Sequence, residues 1–436
     1  MKRLLAFALV AIFLASPAYA DDAKQTLEEP LTLAEAQRIA LLNHPQIKAS
    51  DYESKAAEEE VAVQRSNYYP QISGNAARVF ADAGTRLAAV GGLNDPTVID
   101  RGSIGVGASQ LITDFGRTDA EVEASKSALE AERQRGNLSR TSVLLNATQA
   151  YYHTLRAEAL LKVAQDTLKT RQTLLDQVKS LRDVQIKSDL DLSIAKQSVD
   201  DANLLLLKAE NGRDDAMDEI SEALGFRETH VFVLADDNKV PPPEGSPEIL
   251  LSEALSNNPE LAALQSDYEA ARKEADAASR ESYPTLSAAG FAGDTPLHAA
   301  GQYISPTYAA GGLVLSIPLY TGGKITADAD KAAAHAETLK MQVEIKKNKL
   351  ARDIHMVFDS VQTAYKNIAV TKQMRENAGK SLALTQARYD LGKSSIVDLN
   401  QAQLADTQAA VAATNATYQY LIQRALLDYS VGRSPI

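Results

Sequence analysis

Along residues 117–181 the large apolar side chains Leu144, Tyr151, Leu155, Leu168, Leu174, Val178 and Leu181 recur at helical spacings, chiefly three, four and seven. Ala, Gln, Asn, Thr and Asp fill much of the remaining surface. The pattern predicts a helix that packs along a narrow seam and keeps a broad hydrated face. Residues 324–390 form a second such run, and neither run contains a proline. At 1.5 Å per residue, about 65 residues make a helix roughly 100 Å long. Shorter helical returns are predicted over 190–224 and 396–431. Ahead of each long run lies another helical stretch, 32–68 with a break near Pro45, and 248–282. Tyr69-Pro70 and Tyr283-Pro284 end these stretches, because a residue before proline avoids helical angles. A return helix stacked end to end with a pre-strand helix would match the length of a long one.

Between the helical runs the period changes to two. Ile104, Val106 and Ala108 alternate with Gly105, Gly107 and Ser109; Leu313, Leu315, Ile317 and Leu319 alternate with Val314, Ser316 and Tyr320. Stretches 71–114 and 285–321 each predict two strands, four in all, with turns at Pro96 and Pro306. The halves also resemble each other residue by residue. His44-Pro45-Gln46-Ile47 answers Asn258-Pro259-Glu260-Leu261, and Tyr69-Pro70 answers Tyr283-Pro284, both 214 positions apart. Thr113-Asp114-Phe115-Gly116-Arg117 answers Tyr320-Thr321-Gly322-Gly323-Lys324 at a separation of 207. Asp191-Leu192 with Ala195 answers Asp398-Leu399 with Ala402 at the same 207. Residues 21–240 and 248–436 therefore read as two copies of one unit. Between them lies a stiff Pro-rich linker, 241–247, unsuited to a helix or a central strand.

Composition narrows the class. Lys2 and Arg3, an apolar run from Leu4 to Leu14 and then Ala18-Tyr19-Ala20 read as a secretory signal peptide over residues 1–20. That run is too short for a transmembrane helix, which needs about 20 residues, and no later stretch is apolar enough. Loss of Lys2 and Arg3 moves the formal charge from −12 to about −14, which argues against nucleic acid as a partner. The chain has no cysteine for a disulfide or a lipid anchor. The six histidines (His44, His153, His230, His298, His335 and His355) show no metal spacing. Gly322-Gly323-Lys324 lacks the upstream glycine of a phosphate loop and reads as a turn. No catalytic, cofactor-binding or metal-binding residue is assigned, and no enzyme is expected.

A chain with four strands can enter a membrane only as part of a closed barrel. The smallest such barrels need eight strands, so sister copies must complete the sheet, giving eight from two chains or 12 from three. The fold expected is mainly α with a small β part: a long-helix α-barrel plus four strands per chain.

Four stretches carry a resemblance to a known family. They are Leu33-Ala34-Glu35-Ala36 leading to Asn43-His44-Pro45, the Tyr-Pro before each strand pair, Ile317-Pro318-Leu319-Tyr320-Thr321-Gly322-Gly323, and Arg388-Tyr389-Asp390-Leu391-Gly392-Lys393-Ser394-Ser395-Ile396-Val397-Asp398-Leu399. In this order they are similar to the TolC family of outer-membrane efflux and secretion channels. The resemblance implies a homotrimer with a 12-stranded barrel in outer-membrane lipid and a helical tunnel in the periplasm. It also implies docking to an inner-membrane pump through a periplasmic adaptor, without a cofactor. Turns near 183–189 and 391–396 would form the inner tips. By the family pattern, Tyr389, Asp398 and Asp191 would belong to a periplasmic gate, and Gly392, Lys393, Ser394, Ser395 and Ser188 to an adaptor-docking tip. Gln401 and Ser394 stand where the family carries a second aspartate and an arginine, so a less tightly latched gate is expected. For Asp398 the residues alone leave a helix-start carboxylate as the alternative. Gly392 suits a positive φ whereas the matching position is Gln185, so the two tips are expected to differ. The alternative for the whole chain is a periplasmic coiled-coil structural or adaptor protein without a barrel.

Overall fold

The structure, a computed structural model, describes residues 30–80, 101–236, 239–295, 297–299, 302–304 and 307–433. The expected signal peptide and the turns expected at Pro96 and Pro306 lie outside the described residues. In the first half follow α1 Leu33–Asn43, α2 Pro45–Ser66, β1 Gln71–Val79, β2 Arg101–Thr113, α3 Arg117–Asp183 and α4 Asp189–Ala223. The second half holds α5 Pro247–Asn257, α6 Pro259–Arg280, β3 Thr285–Asp294, β4 Leu297–Ala299, β5 Gln302–Ile304, β6 Thr307–Ser316, α7 Lys324–Asp390 and α8 Ile396–Val431. Corresponding helices match in length: 11 and 11 residues, 22 and 22, 67 and 67, 35 and 36.

Local chemistry sets these limits. Pro45 and Pro259 break the pre-strand helices and then open α2 and α6, where a missing N–H has no partner to lose. Pro247, read from the sequence as linker, opens α5 for the same reason. β6 stops at Ser316 rather than running on to 321, because Pro318 has no N–H for the ladder. Each long helix begins after two residues in the left-handed region, Phe115-Gly116 (φ 59° and 88°) and Gly322-Gly323 (φ 64° and 84°).

Helix α3 is flanked by different partners along its length. Near its start Tyr68, just past α2, donates to Asp119 at 2.5 Å, and Arg140 pairs with Asp51 of α2 at 2.6 Å. Further along, the Thr154 hydroxyl donates to the Ala216 carbonyl of α4 at 3.0 Å, and His153 Nδ1 lies 2.9 Å from Glu219. Thus α2 and α4 abut end to end beside α3, as the length matching anticipated. The helical layer runs α2–α3–α6–α7 on the strand side and α4–α3–α8–α7 on the other. At each joint a glycine in the left-handed region follows the return helix and meets the kink of the pre-strand pair. A Cβ on Gly225 would come 2.9 Å from the Asn43 carbonyl carbon, and one on Gly432 would come 2.6 Å from the Asn257 carbonyl oxygen.

The strands form one antiparallel sheet in the order β1–β2–β3–β6, with the short β4–β5 hairpin extending β3 and β6. Strands β1 and β6 are paired on one side only, and every residue of β6 is exposed. The apolar core is split into three clusters. Two sit at the joints, where the buried Tyr151 hydroxyl donates to the Leu31 carbonyl at 2.9 Å and the buried Tyr420 hydroxyl to the Pro241 carbonyl. The third lies at the far ends of the hairpins. Among the described residues no helix is long and apolar enough to cross a membrane.

Candidate functional site

The hairpin ends α3–α4 and α7–α8 lie together at the end of the molecule opposite the sheet. Both turns are built alike. Ser188 caps α4 and Ser395 caps α8 through reciprocal bonds with the residue three positions on. The Asp191 carboxylate accepts from the Ser188 N–H at 2.9 Å and the Ser188 hydroxyl at 2.7 Å. The Asp398 carboxylate accepts from the Ser395 N–H at 3.0 Å, the Ser395 hydroxyl at 2.8 Å and the Ser394 hydroxyl at 3.1 Å. These bonds hold both carboxyls below the usual aspartate range; the Lys187 charge adds to the effect at Asp191, and the Arg388 charge at Asp398. Both therefore stay ionised, and their first task is to start a helix. The Ser394 hydroxyl closes a bond inside its own turn and makes no link between hairpins.

Tyr389 is buried between the hairpins, among Leu174 and Val178 of α3, Leu192 and Ala195 of α4, and Ile396 and Leu399 of α8. The Lys187 ammonium sits 4.0 Å above its ring. Its hydroxyl is buried without a hydrogen-bond partner in the single chain. Burial, with the nearby Asp191 and Asp390 charges, pushes its pKa upward. Gly392 and Lys393 lie exposed at the apex of the second turn. The first turn adopts the same backbone: Gln185 has φ 64° and Gly392 has φ 68°. The expected difference in turn shape is thus absent, and the tips differ in side chain alone.

Sequence reading missed Arg171. It is 5% exposed, and its guanidinium donates to the side-chain carbonyls of Asn400 (2.9 Å) and Gln403 on α8. Ser198 of α4 donates to the same Asn400 oxygen at 2.6 Å, which ties the first hairpin to the return helix of the second. The signal was present, since Arg171 lies three and seven residues ahead of Leu174 and Val178 on the apolar seam. Among the described residues no three His, Asp or Glu side chains converge as a metal site would require. The tips offer fixed carboxylates, a buried phenol and exposed aliphatics, an arrangement suited to contact and closure.

A family model for outer membrane efflux proteins matches residues 36–226 and 250–433, one segment in each half. The chain belongs to the outer membrane efflux protein family. It is therefore an outer-membrane channel of the efflux and secretion type, and not a member of an enzyme family. Among relatives of this outer membrane efflux protein, outer membrane protein TolC of Escherichia coli is 24% identical over 418 residues, which cover 93% of this chain and 83% of that one. The solved outer-membrane channel OprN superposes with a TM-score of 0.80 at 18% identity, covering 92% of this chain and 90% of that one. The open state of the Neisseria gonorrhoeae outer membrane channel MtrE gives a TM-score of 0.75 at 20% identity, covering 92% and 88%.

Proposed function

We propose that three copies of the chain stand side by side as the exit duct of a tripartite efflux or type I secretion system. Their sheets close a 12-stranded barrel in outer-membrane lipid, and their helices enclose a periplasmic tunnel. A periplasmic adaptor docks at the tips and couples the duct to an inner-membrane pump. The observation that carries this reading is the open sheet: β1 and β6 each present an unpaired edge, which hydrocarbon does not tolerate. Helix α7, at the free flank of the layer, adds a second indication. Met341, Ile345, Met356, Val370, Met374 and Leu384 fall on one stripe of it and are all at least 43% exposed, as a seam awaiting a neighbouring copy would be. Three copies rather than two follow the family. The repeated element order and matched helix lengths support an origin by duplication of residues 21–240 and 248–436 about the linker 241–247. Residues 1–20 direct export as a signal peptide.

In this reading the tips gate the duct. Asp398, Tyr389 and Asp191 form the gate, and Gly392, Lys393, Ser394, Ser395 and Ser188 the docking tip. Three ionised Asp398 carboxylates about one axis favour cations, so Asp398→Ala should weaken cation block in planar-bilayer recordings. The mature protein extracted from outer membranes should have the mass of a trimer and conduct ions across a bilayer. A water-soluble monomer without conductance would overturn the proposal. A deletion strain, compared with its parent for drug, dye and metal tolerance and for secreted proteins, will identify the cargo class.

A further inference from the structure

The strand register sorts the sheet into two unlike faces. Residues paired across strands share a face, so Ile72, Ile104, Val106, Leu313 and Leu315 lie together on one side. All five are more than half exposed, an apolar band of the kind that meets lipid. The opposite side is built from small uncharged residues, among them Ser73, Asn75, Ser103, Ser109, Ala289 and Gly312. Within this stretch two large side chains stand out, Phe291 of β3 and Tyr308 of β6. Phe291 pairs with Gly107 and leans over it: a Cβ on Gly107 would come 3.1 Å from the Phe291 ring. Tyr308 pairs with Gly293, which in turn pairs with Gly105, and a Cβ on Gly105 would come 2.9 Å from the Tyr308 hydroxyl. The Tyr308 ring thus crosses β3 to reach β2, and must lie along the sheet rather than stand up from it. Glycine beneath each ring lets it settle against the backbone, and Phe291 and Tyr308 stay 55% and 42% exposed.

We propose that Phe291 and Tyr308 form a stacking site for planar aromatic cations on the inner wall of the barrel. This rests on the exit-duct reading above, which makes the small-residue face the lining of the pore. Twelve strands about 4.8 Å apart and tilted by about 40° enclose a backbone cylinder roughly 24 Å across. Small cargo cannot bridge that width, so it meets the rings of one chain at a time. An open π face attracts cations and stacks with flat rings. Because the surrounding wall is small and uncharged, the two rings alone distinguish one cargo from another there. Planar aromatic cations pause on them, and aliphatic ones pass.

The test uses the mature full chain in planar bilayers, with ethidium or spermidine applied from the sheet side. Spermidine is an aliphatic cation that meets the tip carboxylates but has no ring to stack. Phe291→Leu combined with Tyr308→Leu keeps apolar cover over the glycines and removes both π faces. The ethidium concentration that halves the current, taken relative to that for spermidine, should rise about fivefold in this pair. Phe291→Tyr combined with Tyr308→Phe should keep the native ratio. Each single Leu variant should show part of the rise, and these carry the test if the pair does not assemble. A native ratio in the Leu variants would overturn the proposal. So would an equal shift for both cations, which would reduce the rings to cover for Gly105 and Gly107. If the native chain conducts no ions, the exit-duct reading itself fails, and that failure is read before either cation is added.

Discussion

Arg171 carries a full charge in a seam where its bonded partners are neutral amides, so charge–dipole attraction must offset the loss of hydration that lowers its pKa. Taking away one partner then leaves a worse state than taking away the charge. Gln403→Leu should cost about 1.5–3 kcal/mol, whereas Arg171→Met should cost clearly less; urea unfolding of the two variants checks the order. The carboxylates of Asp191 and Asp398 make a different demand. Their folded pKa values lie below the unfolded ones, so their stabilisation is present above the unfolded value, about 3.9, and is lost as pH falls through the folded value. Protection of the tip amides, with hydrogen exchange corrected for intrinsic rate, should fall in acid for the native chain and stay flat for the Asp191→Asn, Asp398→Asn pair. Sequence showed both aspartates as special through their 207-residue correspondence. The helix-start role left open for Asp398 is the one the turn displays, with its oxygens engaged by Ser394 and Ser395 as those of Asp191 are by Ser188. Arg171 went unread because an arginine on a mostly polar helix looks like surface until its partners on α8 come beside it.

Helix limits were legible because proline and glycine act locally. The break near Pro45 and the end of α8 needed no tertiary contact to be read, and the matched lengths already implied that α2 and α4 share the flank of α3; the second pre-strand stretch, expected as one run over 248–282, is broken before Pro259 in the same way. What the chain order could not show is how these elements lock. Gly225 and Gly432 combine a positive φ with backbone contact at the kinks of α1–α2 and α5–α6. Gly225→Ala and Gly432→Ala should each cost about 1–3 kcal/mol, measured as a lower melting temperature, whereas Gly212→Ala, inside α4 and facing open space, should stabilise by about 0.5–1 kcal/mol. At the tips, Leu399 is fully buried between the hairpins. Leu399→Ala should cost about 2–5 kcal/mol locally and appear as raised resting conductance in bilayer recordings. The strand end was misjudged by five residues because alternation continues through Ile317 and Leu319, while Pro318 had already closed the ladder.

At the level of the whole molecule, counting strands was enough to foresee an unfinished sheet, since four segments cannot satisfy their own edges in hydrocarbon. The face proposed to meet a neighbouring copy was not foreseeable, because α7 carries its apolar stripe on the side that no element among the described residues covers. The absence of cysteine permits a direct check. Cysteine pairs scanned along β1 and β6 should crosslink between chains and yield a covalent trimer, because within one chain two intervening strands separate these edges by about 14 Å. Products confined to single chains would refute side-by-side closure. The end-to-end joints described above carry a mechanical meaning. Only α3 and α7 run unbroken past the belt where α2 meets α4 and α6 meets α8, so every second stave of the cylinder is spliced at one height. Two of the three apolar clusters and the short helices α1 and α5 gather around that belt, as a ferrule is fitted over a spliced rod, so in the proposed duct torque applied at the tips should be taken up there before it reaches the sheet.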